Sequence, residues 1–270
     1  MADIQYLRKM TGAGMMDCKK ALTEAENDME KAIEIIRKRG QAIAAKRSDR
    51  EASEGCALAG TKDGFAAVLA LKCETDFVAK NADFIALTKS ILDLALEKQP
   101  ASQEELLALD MDGETVAARI TERSGVTGEK MELDRYGFVK GAFVMDYIHP
   151  GNKLAVVVAF NKEADYQVAR DIAMQVAAMN PIALDRNAVP AEVVEKELEI
   201  GREKAREEGK PENLLDRIAQ GRLNKFYQEN TLMEQEFIKD GKINITTYLK
   251  QADKELAPIA YKRLNLNQDE

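Results

Sequence analysis

A chain of 270 residues with 45% hydrophobic side chains has material for two or three cores and is too apolar to be disordered throughout. Its net charge of −8 argues against a general nucleic-acid binder, and its longest unbroken apolar runs, Phe65 to Leu71 and Leu154 to Phe160, fall far short of a membrane span. Three cysteines without Cys-x-x-Cys spacing suit reduced thiols, and the opening Met-Ala-Asp-Ile-Gln has neither a secretory nor a transit pattern, so a cytoplasmic location is expected.

In chain order, residues 1–40 read as a compact three-helix N-terminal domain. Ile4 and Leu7 lie on the first helix, which Gly12-Ala-Gly14 ends; Cys18, Ala21, Leu22 and Ala25 recur at helical spacing on the second. Asn27-Asp28 closes that helix and caps a third, whose Met29, Ala32, Ile33 and Ile36 form a stripe before Gly40. Residues 1–50 hold 11 Lys/Arg and 8 Asp/Glu, a basic start to an otherwise acidic chain. With Tyr6 as the single aromatic there, no stacking platform for nucleic acid is visible. Residues 41–54 are polar with little periodicity and read as a linker.

Cys56–Ala59 and Phe65–Lys72 flank a turn at 61–64 and predict a hairpin. Helices are expected over Asp83–Lys98 and near Gly113–Arg123. Phe138–Tyr147 and Leu154–Phe160 read as two strands joined by His149-Pro-Gly-Asn152, followed by a helix over Ala164–Met179. Residues 191–240 carry 13 acidic and 9 basic side chains. Val194, Leu198, Gly201 and Ala205 answer Leu215, Ala219, Leu223 and Phe226 across a Gly209-Lys-Pro211 turn, which predicts an antiparallel helical hairpin with a thin seam. Asn244 can cap a last helix, and Ile259–Leu266 can return as a strand. The expectation is an α+β protein: N-terminal domain 1–40, linker 41–54, a first α+β core subdomain 55–137, a second from 138–189 and 241–270, and a helical-hairpin insertion 190–240.

The densest signal is Cys73-Glu-Thr-Asp-Phe-Val-Ala-Lys-Asn81, where a buried strand gives way to a helix. Thr75 can N-cap the turn, and Asp76 favours the positive helix end. Phe77 either folds inward as a core anchor or projects as a wedge for a partner; the general tendency of phenylalanine favours burial. Together with Leu7-Arg-Lys-Met-Thr-Gly-Ala-Gly-Met-Met-Asp-Cys-Lys-Lys-Ala-Leu22, the run Thr75-Asp-Phe-Val-Ala79 resembles the bacterial elongation factor Ts family, the nucleotide-exchange factors for the GTPase elongation factor Tu. Weaker matches follow at Tyr147-Ile-His-Pro-Gly151, Ile172-Ala-Met-Gln-Val-Ala-Ala178 and Phe237-Ile-Lys-Asp240, so the likeness covers nearly the whole chain.

The resemblance implies an N-terminal domain of the ubiquitin-associated type and a coiled-coil insertion at the helical hairpin. It implies a guanine-nucleotide exchange factor, not an enzyme, whose partner is elongation factor Tu in its GDP-bound and nucleotide-free forms. No cofactor, metal or direct nucleotide binding is expected. Carried over, Phe77 is the exchange wedge near the GTPase magnesium site and Asp76 its polar partner, within a Thr75–Val78 contact. Arg8, Met15, Met16 and Lys19 form a second contact, with one of the two methionines expected buried. His149 is either an exposed turn residue or a further contact. Gln235-Glu-Phe237 departs from the family's usual Gln-Pro-Phe, which suggests a less rigid exit from the hairpin. The extra C-terminal helical module of some members is not expected, and residues 121–130 do not align cleanly with the family's pattern, so no functional residue is carried over there.

Other chemistry finds little support. A single histidine rules out a site of several histidine ligands, and neither a Walker A loop nor a dinucleotide fingerprint occurs. Two rivals remain: a nucleic-acid or ribosome-associated module using the basic N-terminus and the charged hairpin, and a Cys73-dependent enzyme assisted by His149.

Overall fold

The computed structural model describes residues 2–267. Helices α1 (Ala2–Thr11), α2 (Met15–Glu24) and α3 (Met29–Lys46) close around Leu7, Cys18, Ala21, Leu22, Ala32 and Ile36. Asp28 caps α3 by accepting from the Lys31 amide. The third helix does not stop at Gly40, where the sequence suggested a linker; it continues to Lys46. Gly40 is instead a contact point: a Cβ on the facing Gly125 would lie 2.2 Å from its Cα. Only two glycines allow the helix backbones to approach so closely.

Strands β1 (Glu54–Lys62) and β2 (Phe65–Cys73) form the expected hairpin, with Lys62 opposite Phe65 and a two-residue Asp63-Gly64 turn in the left-handed region. After β2 come the single turn α4 (Asp76–Ala79), α5 (Ala82–Lys98) and α6 (Gln103–Ala108). A small ribbon of β3 (Asp110–Met111) and β4 (Glu114–Thr115) takes up Gly113, so the next helix, α7, runs Val116–Thr127 rather than starting at the glycine.

The single strand expected over 138–147 is two. β5 (Met131–Lys140) pairs with β2, whereas β6 (Phe143–Ile148) pairs with β7 (Leu154–Phe160) in another sheet. Gly141 makes the crossing, because a Cβ there would stand 2.7 Å from the Phe160 carbonyl oxygen. Helix α8 (Tyr166–Met179) follows, then the finger of α9 (Ala191–Glu207) and α10 (Leu215–Asn230). A ribbon of β8 (Glu236–Phe237) and β9 (Asp240–Asn244), helix α11 (Ile245–Ala252) and β10 (Pro258–Asn265) complete the chain. All pairings between these strands are antiparallel among the described residues, in the orders β1-β2-β5 and β10-β7-β6.

The two three-stranded sheets stack face to face. Ala57, Ala59, Ala66, Val68 and Ala70 of the first meet Ala155, Val157 and Ala159 of the second, small side chains that suit a close approach. Cys56, Leu58, Phe65, Leu69 and Leu71 turn the other way, toward Phe84, Ile91 and Ile120 of α5 and α7. Val156, Val158 and Phe160 pack on Ile172 and Val176 of α8. Four layers result, helix–sheet–sheet–helix, and burial on both faces explains the continuous apolar runs in β2 and β7.

The finger closes on Val194, Leu198, Leu223, Phe226 and Tyr227, with Gly201 against Ala219. Arg202–Asp216 (2.6 Å) and Arg222–Glu208 (2.6 Å) bridge its helices. Its exit is well held despite the missing proline. Buried Gln235 donates to the carbonyls of Met179 (3.2 Å) and Glu229 (3.0 Å), while Gln175 donates to the Glu236 carbonyl (3.0 Å).

Candidate functional site

Helix α4 is one turn long, too short to persist unaided. The segments around it hold it. Thr75, extended at φ −122° and ψ 154°, receives the Val78 amide on its hydroxyl oxygen (3.4 Å) and the Ala79 amide on its carbonyl (3.1 Å). The same hydroxyl lies 2.6 Å from Glu129 Oε1. A carboxylate only accepts, so the hydroxyl proton points to Glu129 and a lone pair is left for Val78. Glu129 Oε2 also accepts from the backbone amides of Glu74 (3.2 Å) and Thr75 (3.0 Å). Glu74 reciprocates: its carboxylate accepts from the Lys130 amide (2.7 Å) and pairs with Arg47 (3.1 Å), the residue that ends α3.

Ala79 is buried and Val78 half-buried against the first core, and both pin the inner side of the turn. Phe77 points outward and is 84% exposed. The core-anchor alternative for this ring is therefore wrong: Val78 and Ala79 fill the inward positions. Asp76 pairs with Lys80 (2.7 Å), and the hydrogen bond from that ammonium holds its carboxyl below the usual range. The result is an apolar ring on a fixed turn, flanked by a charged pair.

Arg8 and Lys19 are exposed, and so are both methionines, Met15 (58%) and Met16 (61%). The expectation of one buried methionine fails because this small core closes on Leu7, Ala13, Cys18 and Leu22, leaving neither a place. Tyr6 (54%) and Met10 (58%), not among the contact residues expected from the resemblance, are exposed on α1. The three-helix unit is docked on the core by the Gly40–Gly125 crossing and by an Arg37–Glu114 pair (2.7 Å).

His149 is exposed in the β6–β7 turn, its Nδ1 3.0 Å from the Tyr147 hydroxyl, with the Arg170 guanidinium over the Tyr147 ring. That turn reaches β1 through the Ala57 amide, which donates to the Asn152 carbonyl (2.6 Å), and through Lys153–Glu54 (2.7 Å). The structure thus gathers Thr75–Val78 with Arg47 and Glu129, and leaves His149 on the second sheet. Glu129 escaped the sequence reading. It is 54 residues from Thr75, and only the β2–β5 register, with Cys73 opposite Met131, brings them together.

Cys73 is fully buried, its thiol pushed up to about 12 by burial and by the nearby carboxylates of Glu129 and Glu54. A thiol buried and so hard to ionise is a poor nucleophile, which counts against the Cys73-dependent enzyme. Among the described residues no group of three or more His, Cys, Asp or Glu could hold a metal ion, and no helix is long and apolar enough to cross a membrane.

A family model described as Elongation factor TS matches residues 74–268. A protein of Porphyromonas gingivalis named Elongation factor Ts is 63% identical over 268 residues, covering 99% of this chain and 98% of the relative. One of the same name from Azobacteroides pseudotrichonymphae is 56% identical, again over 268 residues and the same shares of both chains. A third, from Bacteroides fragilis, is 46% identical over an alignment of 323 positions that covers 98% of each. With a match across most of its length and relatives this similar end to end, the chain belongs to the elongation factor Ts family.

Proposed function

We propose that this chain is a guanine-nucleotide exchange factor that promotes GDP release from elongation factor Tu during translation elongation, in the cytoplasm. The observation that supports this reading most is Phe77, an almost fully exposed ring on a turn anchored from three sides. In the proposed mechanism the Asp76–Phe77 pair enters the GTPase domain near its magnesium site. Burying the ring against the partner is worth about 1.5–3 kcal/mol, which helps offset displacement of the partner's own side chains. Metal and phosphate contacts hold GTPase switch loops in order, so disturbing them loosens the nucleotide. Each tenfold acceleration of release needs a barrier lower by about 1.4 kcal/mol.

The chain performs no bond chemistry and binds no nucleotide itself. It favours the nucleotide-free partner, and linkage requires GDP to weaken the complex by the same factor. The three N-terminal helices, α1 to α3, act as a domain of the ubiquitin-associated type, with Arg8, Met15, Met16 and Lys19 contacting the same GTPase domain. His149, on the second core subdomain built on β6, β7 and β10, touches another domain of the partner. The first core subdomain, built on β1, β2 and β5, carries the wedge, and the hairpin of α9 and α10 is a separate insertion.

Mixing the chain with elongation factor Tu loaded with fluorescent GDP is expected to speed release, and excess GDP to dissolve the complex formed without nucleotide. A complex indifferent to GDP would contradict exchange. Strong, salt-dependent binding of RNA by the isolated chain would favour the nucleic-acid alternative.

A further inference from the structure

We infer that Glu129 is a positioning residue for the exchange wedge, fixing the direction in which Phe77 leaves the surface. This rests on the exchange reading above and deepens it. One carboxylate accepts from two successive backbone amides and from the hydroxyl that caps α4, so the last turn before Phe77 has one conformation set from a distant segment. Glu74 accepts from the Lys130 amide in return. The two segments therefore clasp each other through two acidic side chains, each held by the other's backbone. Arg47 joins the clasp through Glu74 and ties it to the end of the N-terminal helices.

Hydrogen-bonded carboxylates at a strand–helix junction often serve stability alone. Here the clasped segment ends two residues before an exposed ring, and that ring contributes little to the core. A wedge held in one direction loses less conformational freedom on insertion than one on a loose turn. Replacing Glu129 by glutamine keeps the shape but turns one acceptor into a donor. The amide group then faces either the Glu74 and Thr75 amides, which lose their acceptor, or the Thr75 hydroxyl, whose proton must turn away.

The test compares release of fluorescent GDP from elongation factor Tu by the full chain as wild type, Glu129→Gln, Phe77→Ala and the double variant. Amide hydrogen exchange of each free chain is followed in parallel. Glu129→Gln is expected to lower the release rate at saturating factor about tenfold, and to add less than about twofold once Phe77 is alanine, because it acts through that ring. The Val78 and Ala79 amides should exchange faster, those of β2 unchanged. If Glu129→Gln does not fold, Thr75→Val removes the hydroxyl's bond to Glu129 together with its cap on the Val78 amide, keeps the two backbone bonds to Glu129, and is expected to show the same dependence on Phe77. A Glu129→Gln rate equal to wild type, or losses that simply multiply with Phe77→Ala, would overturn the inference while the exchange reading stands. A wild type that fails to accelerate release would overturn both.

Discussion

Phe77 leaves most of its ring in water, so removing it takes little from the fold. Phe77→Ala is expected to shift stability by no more than about 0.5 kcal/mol in urea unfolding, and any functional loss then reports on the partner. Asp171 is the opposite case. It is buried on α8, and burial alone would raise its carboxyl. Hydrogen bonds from Lys239 (2.7 Å), Tyr248 (2.8 Å) and Gln167 (2.7 Å) outweigh that and leave it below its ordinary value. A carboxyl depressed in the folded state stabilises the fold above its unfolded pKa, and the contribution is lost as pH falls through the folded one. Asp171→Asn is therefore expected to cost about 1–3 kcal/mol at neutral pH. Below about pH 4 its stability should fall less steeply than that of the wild type. Unfolding curves across that range decide it; parallel pH profiles would contradict the assignment.

The thiols offer a further check at this scale. Cys18, Cys56 and Cys73 are buried, and burial pushes all three up, Cys56 to about 11 and Cys73 to about 12. Burial and the raised pKa keep these thiols protonated and out of reach of solvent. A thiol reagent is expected to label none of the three in the native chain and all three once it is denatured. Rapid native labelling of Cys73 would revive the enzyme alternative.

At the scale of elements, α3 and α7 cross closely at a pair of glycines, Gly40 and Gly125. Gly125→Ala would place a methyl group 2.2 Å from the Gly40 Cα, a clash the backbones must relieve by moving apart. A destabilisation of about 1–3 kcal/mol is expected, with the amides of α1 to α3 exchanging faster than those of β2. Full wild-type stability would show that the N-terminal helices are held some other way. The same glycines show where sequence reading stops. Local signals sufficed for the β1–β2 hairpin, the Asn244 cap and the finger, because periodicity and capping residues act within a few positions. Gly40 looked like a helix end because its use, contact with α7, is invisible locally. Phe138–Tyr147 looked like one strand because alternation continues across Gly141, while the sheet changes beneath it.

Over the whole molecule, the motif that carries Phe77 is legible in the sequence and its support is not. Thr75, Asp76 and Phe77 stand in one short motif, but the direction of the ring depends on Val78 and Ala79 packing inward and on Glu129 reaching across from the end of α7. Stacked sheets, a docked N-terminal unit and a clasp between distant segments are products of register and tertiary contact, which composition does not carry. In the proposed function this scaffold presents Phe77 to a GTPase. The most direct test of that role is the rate of fluorescent GDP release from elongation factor Tu with wild type and Phe77→Ala at saturating concentration. Fast release by the wild type is expected, with a loss of about tenfold or more in a variant that unfolds like the wild type; a variant as fast as the wild type would contradict the wedge.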